Sequence, residues 1–208
     1  MVKVQAPCLS LEASGSIAGA LVFSKWKGRP YCRSLVKPSN PRSGGQVGMR
    51  AMFRWLSQQW AALGAVDKAT WEARADQKVI SPFNAYVSLG QYRFADFLAP
   101  STADPPGVAM TPSVDGAGAA TAGVRSITVE QAITTANDGW GVAFFRALAP
   151  GFTTAYDNLI GCGLIAGVAD VVWVDSPLEP DTYYYNMRSF TEDGQLGAEI
   201  GEVNAIVV

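Results

Sequence analysis

The chain has 208 residues, of which 49% are apolar and only 16% are charged, and this excludes a disordered protein. It contains no histidine, which excludes the nucleophilic triads that depend on an imidazole base and makes a zinc site unexpected. The three cysteines, Cys8, Cys32 and Cys162, form no close pair, so we expect reduced thiols rather than a disulfide framework.

The net charge of −2 conceals an uneven distribution. Residues 1–100 contain 13 Lys/Arg and 5 Asp/Glu, whereas residues 101–208 contain 3 and 13. Such opposite charge predicts two domains with different neighbours, and copies that associate basic face to acidic face. The sequence shows no secretory signal pattern, and its apolar runs are much shorter than the roughly 20 residues needed to span a bilayer. We therefore expect a protein that is made in the cytoplasm and does not associate with a membrane.

The chain begins with residues 1–18, which we interpret as an arm, either a strand or a loosely ordered terminus. The segment from Gly19 to Arg42 then predicts two short strands joined at Lys27-Gly28, because both halves contain β-forming residues and Gly28 suits a tight turn. Proline and asparagine residues after the second strand predict a corner: Pro38, Asn40 and Pro41.

Three helices are predicted between residues 43 and 98. In the first, Ser43 to Leu63, apolar residues recur at spacings of three and four and form one stripe: Met49, Met52, Phe53, Leu56 and Trp60. Asp67 is the predicted N-cap of a second, short helix, and Ser81-Pro82 is a capping residue followed by proline at the first helical position of a third.

Residues 99–118 are rich in proline, glycine and serine and predict a linker. After it the apolar pattern changes to a period of two, and turn signals separate six predicted strands: 124–133, 141–148, 159–165, 171–174, 183–190 and 203–208. Short strands at this spacing over about 100 residues are typical of a β-sandwich.

The segment from Leu178 to Phe190, LEPDTYYYNMRSF, resembles the penultimate-strand signature of fibronectin type III domains. The resemblance covers roughly residues 106–208 and implies a tyrosine that packs the corner before the strand, either Tyr183 or Tyr184. It also implies that alternate residues enter the core: Tyr183, Tyr185, Met187 and Ser189. Such modules serve mainly as spacers and binders.

The segment from Ser24 to Ala75, with Phe83-Asn84-Ala85-Tyr86 after it, is similar to a family of small uncharacterised virion-associated proteins of tailed phages and prophages. The shared pattern is a hairpin with a Lys-Gly-Arg turn, an Asn-Pro-Arg corner and three helices, over residues 15–98. The residue patterns and the two resemblances together predict an α+β N-terminal domain (hairpin plus three helices) at 1–98, a linker and first-strand region at 99–118, and an all-β immunoglobulin-like or fibronectin III-like sandwich at 119–208.

We expect a partner-binding surface of basic and aromatic side chains on the hairpin and the first helix: Trp26, Lys27, Arg29, Tyr31, Arg33, Arg50 and Arg54. Nucleic acid is an alternative partner, but the acidic second half would repel a polyanion. Cys32 and Cys162 lack an activating base, and the acidic residues of the second half are typical of solvated turns, so no catalytic, cofactor-binding or metal-binding residue is predicted.

The phage resemblance and the charge pattern predict a non-enzymatic virion structural protein that decorates or cements the capsid through its basic N-terminal domain. Many copies, or a homo-oligomer, would bind major capsid or tail subunits. Three alternatives remain at this stage: a tail or baseplate protein, a nucleic-acid-binding accessory protein, and an adhesin that stacks sugars on Trp140 or Trp173.

Overall fold

The computed structural model describes residues 2–3, 15–17, 20–26, 29–36, 42–107, 116–133, 140–193 and 196–208. The chain divides into two compact units, an N-terminal unit of Met1–Pro41 and a C-terminal unit of Arg42–Val208. Among the described helices, none is both long enough and apolar enough to cross a lipid bilayer.

The N-terminal unit is a four-stranded antiparallel sheet with the order β1-β4-β3-β2. Its strands are β1 (Val2–Lys3), β2 (Gly15–Ile17), β3 (Leu21–Trp26) and β4 (Arg29–Ser34). The predicted hairpin is thus confirmed, and the predicted arm supplies two further strands. The turn residues Lys27 and Gly28 and the corner residues Pro38, Asn40 and Pro41 lie outside the described residues.

The C-terminal unit begins with three helices, as predicted: α1 (Gly44–Ala62), α2 (Ala65–Lys78) and α3 (Pro82–Ala95). Ser81 caps α3, because its side-chain oxygen accepts a 3.2 Å hydrogen bond from the backbone N–H of Asn84. The predicted cap of α2 is wrong. Gly64 is the N-cap, and Asp67 lies in the first turn, where a carboxylate favours the positive end of the helix dipole.

The buried face of α1 differs from the predicted apolar stripe. Met49 and Phe53 are 56% and 47% exposed, and the buried residues are instead Gly48, Ala51, Met52, Trp55, Leu56 and Gln59. A Cβ at Gly48 would overlap the carbonyl oxygen of Tyr156. Glycine therefore allows α1 to lie directly on the chain before β8, and the buried residues follow a helical period of three and four that is shifted by one position from the predicted stripe.

Seven strands follow the helices: β5 (Gly118–Gly123), β6 (Ser126–Gln131), β7 (Gly141–Ala147), β8 (Leu159–Leu164), β9 (Val171–Asp175), β10 (Asp181–Phe190) and β11 (Val203–Val207). They form a three-stranded sheet, β5-β6-β9, and a four-stranded sheet, β11-β10-β7-β8, and every pairing is antiparallel. Six of the seven strands match predicted ones. The sequence of β5, GAATAG, has one β-forming residue, Thr121, and no strand is predicted over it.

The four-stranded sheet has a hydrophobic core on each of its two faces. One core lies between the two sheets and includes Ile127 and Val129 of β6, Phe144 of β7, and Tyr185 and Met187 of β10. The other lies between the helices and the same four-stranded sheet, where its members include Trp55, Leu56, Phe94, Phe145, Leu159 and Phe190. The helices therefore form a third layer on the two packed sheets.

This layering differs from the predicted domains. The helices were grouped with the hairpin at 1–98, but their apolar faces are buried against β7, β8 and β10. The part of the predicted linker before residue 108 also packs on the helices: Trp71 Nε1 donates a 2.8 Å hydrogen bond to the carbonyl of Thr102, and Arg74 pairs with Asp104 at 2.8 Å. A proline-rich segment that is hydrogen-bonded to a helix does not behave as a flexible linker. Composition alone therefore misplaces the domain boundary at residues 99–118.

Candidate partner-binding surfaces

The structure places the predicted binding residues in both units. Trp26, Arg29, Tyr31 and Arg33 belong to the N-terminal unit, whereas Arg50 and Arg54 belong to the C-terminal unit. Lys27 lies outside the described residues. The predicted residues therefore belong to two candidate surfaces. We call the first the strand surface (Arg29, Tyr31 and Arg33). We call the second, which includes three further residues beside Arg50 and Arg54, the arginine groove (Arg42, Arg50, Arg54, Arg146 and Trp173).

The strand surface follows from the alternation of side chains along β4. Arg29, Tyr31 and Arg33 occupy every second position of the strand, so their side chains lie on one face of the sheet. Both arginines are exposed and Tyr31 is half-buried. The register places Trp26 opposite Arg29, and Lys3 opposite Tyr31. The two guanidinium groups, about 13 Å apart along an ideal strand, can each contact a different carboxylate of a partner.

The arginine groove is a cavity of about 320 Å³ between α1 and the edges of the two sheets. Arg50 and Arg54 lie one turn apart on the exposed side of α1 and line it. Arg42, which precedes the helix, and Arg146 of β7 line it as well. Four guanidinium groups thus surround one space.

Trp173 of β9 is part of the groove and lies under Arg54. Its ring stacks on Phe144, with 6.3 Å between ring centroids, and the guanidinium carbon of Arg54 is 5.9 Å from its centroid. A Cβ at Gly161 would overlap the indole, so glycine in β8 makes room for it. This cation–π contact fixes the position of Arg54 without neutralising it.

Arg146 is neutralised within the fold. It donates to both carboxylate oxygens of Asp175, at 3.0 and 2.8 Å, and the hydroxyl of Tyr185 donates to the same carboxylate at 3.0 Å. Burial and the negative charge of Asp175 raise the pKa of Tyr185, which keeps this hydroxyl protonated and able to donate. The pair is therefore a structural element of the groove.

The other three arginines of the groove are not neutralised in this way. Within the part of the chain that the structure describes, no ion pair is found for Arg42, Arg50 or Arg54, whereas Arg74, Arg125 and Arg188 each pair with a carboxylate. Among the described residues, Asp175 is the only carboxylate that lines the 320 Å³ cavity, and Arg146 already holds it. The groove therefore presents positive charge to solvent and is suited to an anionic group.

A second cavity of about 460 Å³ continues the groove and shares Arg42, Val47, Arg146 and Ile160 with it. At this end the lining includes the carboxylates of Asp157, Glu179 and Asp181. The complete groove is therefore basic at the end near Arg50 and Arg54 and acidic at the other end. Such a gradient opposes a polyanion that would follow its whole length.

The residues considered as metal ligands, nucleophiles or sugar-stacking aromatics contact other parts of the fold. Asp170 accepts a 3.1 Å hydrogen bond from the backbone N–H of Ile133, and burial strongly raises the pKa of the Cys162 thiol, which keeps it protonated. Among the described residues, no group of three or more Cys, Asp or Glu side chains could hold a metal ion. Trp140 is half-buried and packs edge-on against Trp55 and Phe190.

Sequence reasoning missed Arg42 and Arg146 as groove residues. Arg42 and Arg146 are about 100 residues apart in the sequence, and only the packing of α1 on the sheet brings them together. Trp173 was noted as an exposed aromatic for sugars, whereas the structure places it, half-buried, under Arg54.

No model of a protein family matches the chain, and no curated protein matches it by sequence. Among solved structures, it is similar to the PKD domain of an M14-like peptidase from Thermoplasmatales archaeon SCGC AB-540-F20. The two are 14% identical, and the match covers 47% of this chain and 92% of that chain with a TM-score of 0.26. A likeness at this TM-score carries no argument about fold or function.

Proposed function

We propose that the protein is a non-enzymatic structural component of a tailed-phage virion that decorates or cements the capsid. The N-terminal unit binds an acidic surface of the particle, and the C-terminal unit serves as a spacer and as a second contact. A tail or baseplate position is the alternative. The phage assignment comes from the resemblance of residues 15–98, and the binding mode comes from the charge and the surfaces described above.

The main observation that supports this proposal is that the charge of the chain changes sign at the boundary between the two units. The N-terminal unit contains six Lys/Arg and one Asp/Glu, whereas the C-terminal unit contains 10 and 17. Two of the six cations, Arg29 and Arg33, are exposed on one face of β4. A small basic sheet in a chain that is otherwise acidic supports contact with a large acidic assembly, because the electrostatic attraction acts on the sheet.

For the two packed sheets we propose a fibronectin type III-like sandwich. Its support is the division of seven strands into sets of three and four, together with the hydroxyl of Tyr183, which donates a 3.0 Å hydrogen bond to the carbonyl of Glu179. A tyrosine near the start of this strand that bonds the backbone a few residues upstream is characteristic of such sandwiches. Tyr183, rather than Tyr184, makes this bond, and Tyr183, Tyr185, Met187 and Ser189 are all buried.

Cementing does not require a strong single contact. If many copies bind joints between larger subunits, each adds a small buried area and a few charge pairs, and the effect sums over the particle. Since surface ion pairs are screened by salt, with a screening length of about 10 Å at 0.1 M, such binding depends on ionic strength.

The test is co-sedimentation of the full chain with virus particles assembled without it, at increasing salt concentration. We expect saturable binding that weakens as salt rises, and weaker binding for Arg29→Gln/Arg33→Gln than for the matched control Lys68→Gln/Lys78→Gln, which removes the same charge from α2. Binding that ignores salt, or equal binding by both variants, would contradict the basic anchor; no binding at any salt would contradict the capsid role.

A further inference from the structure

We propose that the arginine groove binds an extended acidic peptide segment, which adds as a strand beside β9. This deepens the proposed function by naming the chemistry of a partner. It rests on that function only for the source of the peptide, another protein of the virion, and not for the binding itself.

The first argument is the uncompensated charge of the groove. Arg50 and Arg54 stand at positions i and i+4 of α1, where like charges destabilise a helix, and the first turn of α1 contains no acidic residue to offset them. The structure describes no carboxylate that pairs with them or with Arg42, and Arg54 is held in place by Trp173. A groove that keeps three cations side by side is suited to carboxylates from another chain.

The second argument is the strand that borders the groove. β9 is the last strand of the β5-β6-β9 sheet, so within the described residues one of its edges carries unpaired backbone donors and acceptors. Trp173 and Asp175 of this strand line the cavity. Val172 and Val174 are 48% and 56% exposed, and β9 contains no lysine and no proline, two of the residues that commonly protect an edge strand. Its one charged residue, Asp175, points inward and is held by Arg146.

The third argument distinguishes a peptide from a nucleic acid. The same groove contains Asp157, Glu179 and Asp181 at its other end, so a continuous polyanion would meet repulsion after its first contacts. A peptide can place acidic side chains near Arg50 and Arg54 and other side chains beyond them. Strand addition supplies affinity through backbone hydrogen bonds, and the alternate side chains supply specificity.

The probe is a fluorescein-labelled octapeptide of alternating glutamate and valine, whose binding to the full chain is followed by fluorescence anisotropy. We expect saturable binding, weakened at least about tenfold by Arg50→Gln/Arg54→Gln because two charge-assisted contacts are lost. The control Lys68→Gln/Lys78→Gln should bind within about twofold of the unmodified chain, since α2 does not line the groove. Circular dichroism establishes that both variants are folded; equal affinity of the two folded variants would overturn the proposal.

Two N-methylated peptides test the strand addition. One is methylated on the backbone nitrogens of its glutamates and the other on those of its valines, which point to opposite edges of an extended strand. We expect one peptide to lose binding and the other to keep it. If both bind as the parent peptide does, charge alone holds the peptide and strand addition is wrong.

Two further outcomes separate the proposals. A single-stranded DNA of 12 nucleotides should bind more weakly than the peptide; tighter binding of the DNA, lost in Arg50→Gln/Arg54→Gln, would overturn the peptide assignment in favour of nucleic acid. Peptide binding without any binding to particles would leave this inference standing and refute the virion role. Particle binding without peptide binding would refute the inference alone.

Discussion

At the scale of single residues, two arginine–carboxylate pairs in the C-terminal unit differ in their surroundings. Asp175 is only 8% exposed and is bonded by Tyr185 as well as by Arg146, whose side chain is 30% exposed. Arg125 and Glu179 are separated by 2.5 Å but lie at the surface. Burial makes an unpaired charge costly, whereas solvent readily replaces a lost partner at the surface.

Replacing Arg146 with methionine should therefore lower the free energy of unfolding by about 3 kcal/mol, because it leaves Asp175 buried and unpaired. Replacing Arg125 with methionine should cost no more than about 1 kcal/mol. Urea denaturation followed by tryptophan fluorescence measures both. Similar losses in the two variants would mean that Asp175 is as well solvated as Glu179.

Sequence reasoning succeeded with residues whose environment is set locally. The cap at Ser81 depends on neighbours in the chain and is confirmed. Tyr183, Tyr185, Met187 and Ser189, which the fibronectin resemblance implied as inward residues, are buried, and Asn186 between them is buried as well. The partnership of Arg146 with Asp175 joins strands of two different sheets, 29 residues apart, and no local pattern indicates it. The arginine groove was found only in part for the same reason.

At the scale of elements, β7 shows why the helices belong to the C-terminal unit. Residues from Gly141 to Phe145 are all buried, with Phe144 in the core between the sheets and Phe145 in the core under the helices. A strand buried on both faces needs a layer on each side. The apolar period of α1 identifies a helix with a buried face, but it does not say which element covers that face, and so the helices were grouped with the hairpin.

A protein of residues 42–208 should consequently fold and unfold in one cooperative transition, whereas a protein of residues 101–208, which lacks the helices, should not form a stable native state. Without α1 and α3, the chain would expose the side chains of Phe145, Leu159 and Phe190 to water. Near-ultraviolet circular dichroism and thermal unfolding measure this. A fragment 101–208 with a sharp transition at the temperature of the longer fragment would restore the predicted sandwich as an independent domain.

At the scale of the whole molecule, the account depends on the separation of charge between the two units. The sequence predicted a basic part and an acidic part, but it placed their boundary near residue 98. Residues 42–100 contain seven Lys/Arg and four Asp/Glu, so the helices are only mildly basic and pack on the acidic part of the chain. The strongest excess of positive charge is thereby confined to the N-terminal unit, which we propose as the contact with the particle.

Zero-length carbodiimide cross-linking of the full chain to particles assembled without it, read by mass spectrometry, tests this contact most directly, because the reagent joins lysine amines only to carboxylates within contact distance. The account predicts that the cross-links leave the chain from its N-terminal lysines, which include Lys3 and Lys25, and end on aspartates and glutamates of the particle. Cross-links that instead join carboxylates of residues 101–208 to lysines of the particle would contradict it.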